Sequence, residues 1–404
     1  MKSKRGAAAL VLLGLLAPFP AAAEGAGLQW TGGLRVRQEI LPNVYYFDGN
    51  ENDRNWIRYR TRAGLRCRPW EEHTFEIRLV NEFRKIVEPD TDVDYDEVVI
   101  DRLSWAWRRG GETPLTLTLG RQDIIWNDGF LMLEGHPFDG SRTMYQNALR
   151  LQVESARGYW EAALMVNPKR DPWVVAGDEE RALSEADEKA IALRFRERRG
   201  FEIALIGKGE DDPDGAAPDR TVWTAALRRE RPAAGRPLFF TELALQRQAW
   251  GGESDYAFAY QLALRRHLPW RIRADAGFFY YSGDESMGGF RAPFGGWPKW
   301  SDLYIYTLIG EEGVAAWRNI SAPHAGVSRP IGSRVGARVH GYYFLAPEPD
   351  WEDRGVLTVS SLTFRFLPGW TGHLLWEWLR AGSYPEGQEA DAHFLRWQLN
   401  YDIP

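Results

Sequence analysis

The chain has 404 residues, a formal net charge of -6 and a single cysteine. This modest charge gives no reason to expect nucleic acid as a partner, and one cysteine excludes an intramolecular disulfide or a cysteine-ligated metal cluster. Two biases are more informative: 19 tryptophans, and 50 cationic residues of which only seven are lysine. Arginine is less strongly hydrated than lysine, and its planar fork matches carboxylates, phosphates and sulfates.

The first 23 residues have the pattern of a secretory signal peptide. Positive charges at positions 2–5 precede an apolar run over 7–16, and the alanines at 21–23 form a small-residue exit. The run is shorter than the roughly 20 apolar residues of a membrane-spanning helix. No cysteine follows it, so a lipid anchor is not expected. We expect cleavage after Ala23 and a mature chain, 24–404, that forms one domain.

Apolar and polar residues alternate with period two from Leu28 almost to the C-terminus. In the first segment Leu34 and Val36 alternate with Arg35 and Arg37, a pattern that predicts a strand with one apolar face. About eighteen such segments begin near residues 28, 55, 73, 98, 114, 146, 159, 188, 201, 220, 238, 256, 271, 317, 333, 356, 371 and 393. The segment at 317–327 is the weakest, and Asp101 breaks the apolar phase of its strand, so sixteen strands would also fit.

The connections between these segments alternate in length. Short links such as "SARG", "ERRG" and "LPGW" alternate with long polar ones at 42–54, 85–97, 123–145, 168–187, 209–219, 282–316, 345–355 and 381–392. A soluble barrel has no reason to place every long loop at one end. The pattern predicts an all-β fold: a transmembrane antiparallel up-and-down β-barrel of the bacterial outer membrane, with short periplasmic turns and long extracellular loops.

Tryptophans support contact with lipid. Seven of them fall at predicted strand ends, where the aromatic girdles of such barrels meet the lipid headgroups: Trp30, Trp70, Trp107, Trp250, Trp270, Trp351 and Trp370. The alternative is that these are ordinary core aromatics.

Arginines occupy the other face of the predicted strands. If the apolar face meets lipid, the lumen receives Arg35, Arg37, Arg58, Arg60, Arg62, Arg66, Arg78, Arg150, Arg194, Arg273 and Arg338. With sixteen to eighteen strands the lumen is wide enough for an aqueous channel. The competing interpretation is a charge-paired wall that stiffens the barrel and selects nothing, in which the arginines pair with Glu39, Glu76, Glu82, Glu154 and Glu242.

Other constellations are weaker. The acidic stretches 48–55 and 90–97 offer oxygen ligands at alternate positions, as calcium loops do, but the first has Asp53 where such a loop needs glycine. A hydrolase would have to use His136, Asp139 and Ser141, and three residues this close in one loop rarely assemble a triad. No catalytic residue, cofactor or metal site is predicted.

The stretch Leu119–Tyr145 resembles the region typical of the alginate export family of outer-membrane barrels. The matching residues are Gly120, Arg121, Gln122, Phe138, Asp139, Gly140 and Arg142, and the loop Phe290–Leu308 is also similar to a long loop of that family. The resemblance implies a monomeric barrel of about eighteen strands whose arginine-rich lumen conducts an anionic polyuronate out of the cell. Arg121 shares the phase of Leu117 and Leu119, so it reaches the lumen only if the strand ends or bulges there.

These observations predict a passive, anion-favouring outer-membrane channel that exports an acidic, alginate-like polysaccharide, which implies periplasmic partners that deliver the polymer. The main alternative is a general or uptake porin for small anions or oligosaccharides, without such partners. A third class is an outer-membrane enzyme or adhesin with a plugged lumen. The loops 123–145 and 282–316, rich in Gly, Pro and Trp, are candidates for folding inward or capping the mouth.

Overall fold

The computed structural model describes residues 27–43, 53–88, 95–133, 145–177, 184, 186–215, 218–231, 238–283, 288–294, 300–304, 318–384 and 391–403. The predicted signal peptide lies outside these residues. The strands are β1 (Leu28–Leu41), β2 (Arg54–Trp70), β3 (His73–Glu88), β4 (Tyr95–Arg109), β5 (Leu115–Gln122), β6 (Gln146–Glu154), β7 (Gly158–Asn167), β8 (Val174–Ala176), β9 (Asp187–Glu197), β10 (Phe201–Asp211), β11 (Arg220–Arg231), β12 (Leu238–Trp250), β13 (Glu253–His267), β14 (Arg273–Tyr281), β15 (Ile320–Ile331), β16 (Val335–Ala346), β17 (Glu352–Arg365), β18 (Trp370–Ala381) and β19 (Ala392–Asp402).

Eighteen of these strands form a closed antiparallel barrel. Each strand pairs with the next along the chain, β7 pairs with β9, and β19 pairs with β1 from Ile40–Leu395 to Gly33–Asp402. The three-residue strand β8 stands outside this ring and pairs with β4. The prediction of eighteen strands is confirmed, including the weakest segment, which forms β15. A single 3-10 turn, Pro269–Arg271, follows β13, and no helix in the described ranges is long and apolar enough to cross a membrane.

All eight connections predicted to be long lie at one end of the barrel, but the alternation of lengths is not strict. The link between β12 and β13 belongs to the long-loop end and has only two residues, Gly251 and Gly252. Their φ angles are +54° and +89°. A two-residue hairpin turn with positive φ at both positions matches the twist of the flanking strands, and glycine adopts it without steric cost.

The outer surface of the barrel is apolar. Large aliphatic and aromatic side chains point outward at every second position, for example Leu164 and Val166 on β7, Trp223 and Leu227 on β11, and Leu245 on β12. The side chains between them are buried. None of the seven tryptophans predicted to lie at strand ends is buried. A closed ring satisfies its own backbone hydrogen bonds and presents lipid-compatible side chains, which defines a transmembrane barrel of the outer-membrane type.

A β-bulge explains why Asp101 breaks the phase of its strand. Arg78 on β3 faces Arg102 on β4, whereas the next residue, Leu79, faces Ile100, which leaves Asp101 as the extra residue. Such a bulge turns two consecutive side chains to the same face. Asp101 therefore contacts Arg78 from inside the barrel, and Arg102 contacts Glu76 there.

Candidate functional site

All eleven predicted lumen arginines lie in the inward phase of their strands. Those on β1 and β2 alternate with outward apolar residues such as Val36 and Tyr59. Arg150 and Arg194 reach the same inner carboxylate, that of Glu161 on β7. Arg273 and Arg338 are exposed at the short-turn end of the inner face.

Ten inward arginines, which we call the arginine stripe, run along one side of the lumen. They are Arg35, Arg37, Arg58, Arg60, Arg62, Arg66, Arg78, Arg84 and Arg102 on β1–β4, and Arg396 on β19. Five carboxylates accompany them on the inner face of β1–β4: Glu39, Glu76, Glu82, Glu97 and Asp101. Like charges face one another across strands, since Arg35 is opposite Arg60 and Arg37 opposite Arg58. Acids are needed between them because such pairs repel.

The carboxylates are shared. Glu39 lies 3.2 Å from Arg37 Nε, 3.0 Å from Arg58 Nε and 3.3 Å from Arg396 Nη1. The Asp101 carboxylate likewise lies 2.8 Å from Arg78 Nε and 3.6 Å from Arg62 Nε. The charge-paired wall is therefore partly correct, but more than one guanidinium group stands at each of these carboxylates. Two acids of the long loops join them, since Asp123 contacts Arg102 and Asp302 contacts Arg396. The ten arginines of the stripe still outnumber these seven carboxylates, which leaves a surplus of positive charge.

The predicted acids differ in their roles. Glu39, Glu76, Glu82 and Glu242 contact inner-face arginines, whereas Glu154 is exposed at the end of β6. The acids Asp101 and Glu161 were not foreseen as partners. Glu161 occupies an inward position of β7, so the period-two pattern could have identified it as a partner. Asp101 points inward only because of the β-bulge, which the pattern does not show.

The opposite side of the lumen is lined by small residues. Inward positions of β6–β13 carry buried alanines, namely Ala148, Ala163, Ala192, Ala204, Ala226, Ala244, Ala257 and Ala259. Parts of the two long loops lie inside the barrel, and we call residues 123–133, 288–294 and 300–304 the inner segments. Their large side chains, among them Trp126, Phe130, Met132, Phe290 and Phe294, join the alanines in one buried apolar cluster. The segment 300–304 packs on β16, where Tyr304 stacks on Phe344, and is held by Glu377 of β18. The described parts of both loops therefore fold into the barrel, as predicted.

The inner segments pair with each other through their backbones. Leu133 N donates to Phe294 O at 2.9 Å, and Phe294 N donates to Leu131 O at 3.0 Å. This short ladder satisfies polar groups that the lumen-filling loops would otherwise bury without partners.

Side chains of the wall hold the inner segments in place. Trp126 Nε1 donates to Glu161 at 2.8 Å, and Lys208 Nζ donates to Pro293 O at 2.9 Å. On the other side, the Glu377 carboxylate accepts from the backbone N of Asp302 and of Leu303, each at 3.0 Å. The inner segments therefore occupy part of the lumen, and Asp302 within them contacts Arg396 of the arginine stripe at 2.6 Å.

The motif residues of β5 have a structural role. Gly120 has φ +114°, and a Cβ there would lie 2.2 Å from Leu103 O, so only glycine fits. The chain then turns at the end of β5, and the buried Arg121 side chain donates to Asp171 at 2.9 Å and to Ile100 O at 2.7 Å. Its guanidinium also lies 3.5 Å from the centre of the Tyr145 ring.

Through Asp171, Arg121 holds the connection between β7 and β9 in place. The strand β8 in this connection covers the part of β4 that extends past the end of β5, where Val98 pairs with Ala176. Gln122 is buried and donates to Ala148 O at 3.1 Å. Burial of the Asp171 carboxyl favours its neutral form, but hydrogen bonds from Arg121 and Tyr145 outweigh this and lower its pKa. Among the motif residues, Phe138, Asp139, Gly140 and Arg142 lie outside the described residues, as do His136, Ser141 and most of both acidic stretches.

The closed eighteen-strand ring, the lipid-facing exterior and the arginine-lined interior define the class of the protein as an outer-membrane β-barrel. No protein-family model matches the chain, and no curated protein matches it. The resemblance to the alginate export family is therefore not supported.

Solved structures of outer-membrane proteins do match. OccAB1 of Acinetobacter baumannii has a TM-score of 0.60 at 8% identity, covering 93% of this chain and 96% of that chain. OccK9 (OpdG) of Pseudomonas aeruginosa has a TM-score of 0.59 at 12% identity, covering 93% and 98%. OpdK of the same organism, solved with vanillate, has a TM-score of 0.58 at 9% identity, covering 93% and 98%. At these identities the likeness concerns the fold.

Proposed function

We propose that the protein is a passive, monomeric outer-membrane channel that favours the passage of small anions. The observation that carries the proposal is the arginine stripe, in which carboxylates such as Glu39 and Asp101 are each shared by more than one guanidinium. Surplus positive charge in a narrow lumen raises the local concentration of anions, and the effect weakens with salt. A series of arginines offers successive weak sites, so a solute can enter and leave without being trapped.

The inner segments favour small solutes over a polymer. They are hydrogen-bonded to each other and to wall residues such as Glu161 and Glu377, and they occupy the lumen beside the stripe. A polyuronate could pass through the barrel only if these segments moved out of the lumen. The uptake or general porin is therefore the better-supported alternative, and small carboxylates are the solute class that a guanidinium fork suits best. The vanillate solved with the structurally similar OpdK is such a carboxylate.

The proposal is tested with the refolded mature protein in a planar bilayer under a salt gradient. We expect an anion-selective reversal potential, and current block by small carboxylates that weakens as ionic strength rises. A polyuronate added to either side should produce little block. An unselective pore would reduce the stripe to a charge-paired wall, whereas strong block by polyuronate would restore the export hypothesis.

A further inference from the structure

Three side chains that belong neither to the arginine stripe nor to the inner segments meet on the inner face of β14–β16. They are Asp275 on β14, His324 on β15 and His340 on β16. His324 Nδ1 lies 2.9 Å from His340 Nε2, and the other ring nitrogen of His340, Nδ1, lies 3.2 Å from Asp275 Oδ2. His340 is buried, while Asp275 and His324 are partly accessible from the lumen.

A glycine makes this arrangement possible. Gly326 on β15 is directly opposite Asp275 on one side and His340 on the other. Because Gly326 has no side chain, the His340 ring crosses above it and reaches the carboxylate two strands away. A Cβ at Gly326 would lie 2.2 Å from His340 Nδ1.

The chemistry of the cluster is that of a transition-metal site. Two imidazole nitrogens bound to one ion at about 2.1 Å in neighbouring coordination positions lie roughly 3 Å apart, close to the observed separation of His324 Nδ1 and His340 Nε2. A metal-binding histidine commonly donates its second N–H to a carboxylate, which selects the tautomer and orients the ring. Asp275 stands where that carboxylate is needed.

We propose that His324 Nδ1 and His340 Nε2 bind a borderline divalent ion, Zn²⁺ or Cu²⁺, from the lumen, with water completing its coordination. Imidazole suits both ions. Asp275 is a positioning residue that accepts the His340 Nδ1–H bond and offsets part of the ion's charge. Arg338 opposes binding, since its Nη2 lies 3.3 Å from His340 Nδ1. The site does not depend on which solute the channel conducts.

Binding is measured by calorimetric titration of the refolded protein with Zn²⁺ and by the electron paramagnetic resonance spectrum of an equimolar Cu²⁺ complex. We expect one saturable equivalent and coupling of Cu²⁺ to two imidazole nitrogens. His324→Gln and His340→Gln should each weaken binding at least about tenfold and leave one coupled nitrogen. The matched control is His373→Gln, which should leave metal binding unchanged. His373 lies on the inner face of β18 and accepts a hydrogen bond from Arg396 at 3.1 Å.

Two further variants test the geometry without removing a ligand. Gly326→Ala should abolish the equimolar site, whereas Gly341→Ala on β16, where a Cβ would meet no heavy atom within 4 Å, should leave it intact. Arg338→Gln should tighten Zn²⁺ binding by on the order of tenfold, because it removes a positive charge beside a divalent ion. Folding of each variant is checked by heat-dependent gel migration.

The proposal is overturned if the folded wild-type protein shows no saturable equivalent, or if the two histidine variants bind as the wild type does. Binding that survives Gly326→Ala unchanged would likewise exclude this geometry. In those cases the cluster is a hydrogen-bonded element of the wall. Neither result bears on anion selectivity, which is measured separately.

Discussion

The guanidinium of Arg396 holds the carboxylate of Asp302 with both of its terminal nitrogens, Nη1 at 3.0 Å from Oδ1 and Nη2 at 2.6 Å from Oδ2. Arg396 lies on β19, and Asp302 belongs to the inner segment 300–304. The same guanidinium also contacts Glu39. The segment 300–304 is thus fixed to β18 through Glu377 and to the arginine stripe through Arg396, so an ion pair helps to hold a loop segment inside the lumen.

Replacing Asp302 with Ala should loosen this attachment. A bidentate, charge-assisted contact that is partly reached by water stabilises by about 1–2 kcal/mol, and its loss lets the segment leave the lumen more often. We expect larger and noisier single-channel currents. Asp350→Ala, at an exposed position of the long-loop end, is the control. Identical current traces for all three proteins would mean that Asp302 does not position the segment.

Selectivity should depend on Arg60 and Arg62 more than on Arg37. The side chains of Arg60 and Arg62 are 19% and 22% accessible, whereas that of Arg37 is 0% accessible and sits against Glu39. Changing Arg60 and Arg62 together to Ser should move the reversal potential toward zero at low salt, because two charges that solutes can reach are removed. Arg266→Ser, in the outward phase of β13, should change nothing. An unshifted potential in the double variant would remove the stripe from the solute path.

The small residues under the inner segments should be intolerant of enlargement. Ala244 on β12 is fully buried beneath the loops, whereas Ala225 on β11 faces outward. Ala244→Leu overfills the space and should lower the free energy of unfolding by about 1–3 kcal/mol. The larger side chain should also displace an inner segment and so change the conductance. Ala225→Leu adds apolar surface toward lipid and should be neutral. The stabilities of the two variants are compared by unfolding in denaturant with the barrel in detergent. Equal stability would argue against close packing of the inner segments on Ala244.

The contact between Arg121 and Asp171 should make the β7–β9 connection sensitive to acid. The folded-state pKa of Asp171 is lowered below its usual value of 3.8, so its contribution to stability is present above about pH 4 and is lost as pH falls through the folded-state pKa. Asp171→Asn should remove this part of the acid response while lowering stability at neutral pH. The measurement is the hydrogen-exchange protection of the backbone amides of β8, relative to their intrinsic exchange rates, in neutral and in acidic buffer. An Asp171→Asn protein with the wild-type acid response would refute this assignment.

Strand number and strand face could be read from the chain alone, because the alternation of side chains across a strand is local. Every predicted strand start lies within four residues of an observed one. Asp101 was the visible exception, and its place could not be predicted, since a bulge is defined only by the register of two paired strands. The two-residue turn at Gly251 also departed from the expected lengths, although two adjacent glycines between alternating segments are a turn signal.

The sequence by itself determined a lipid-facing barrel with arginines inside, because period two and the lengths of the connections suffice to assign the faces and ends of the strands. Only the tertiary structure decided how many arginines share Glu39, which loop residues pack on Ala244, and that His324 meets His340. Glu39 and Arg396 are 357 positions apart in the chain. Such contacts depend on ring closure, on cross-strand register and on where long loops settle, and none of these is encoded in the periodicity of a single strand.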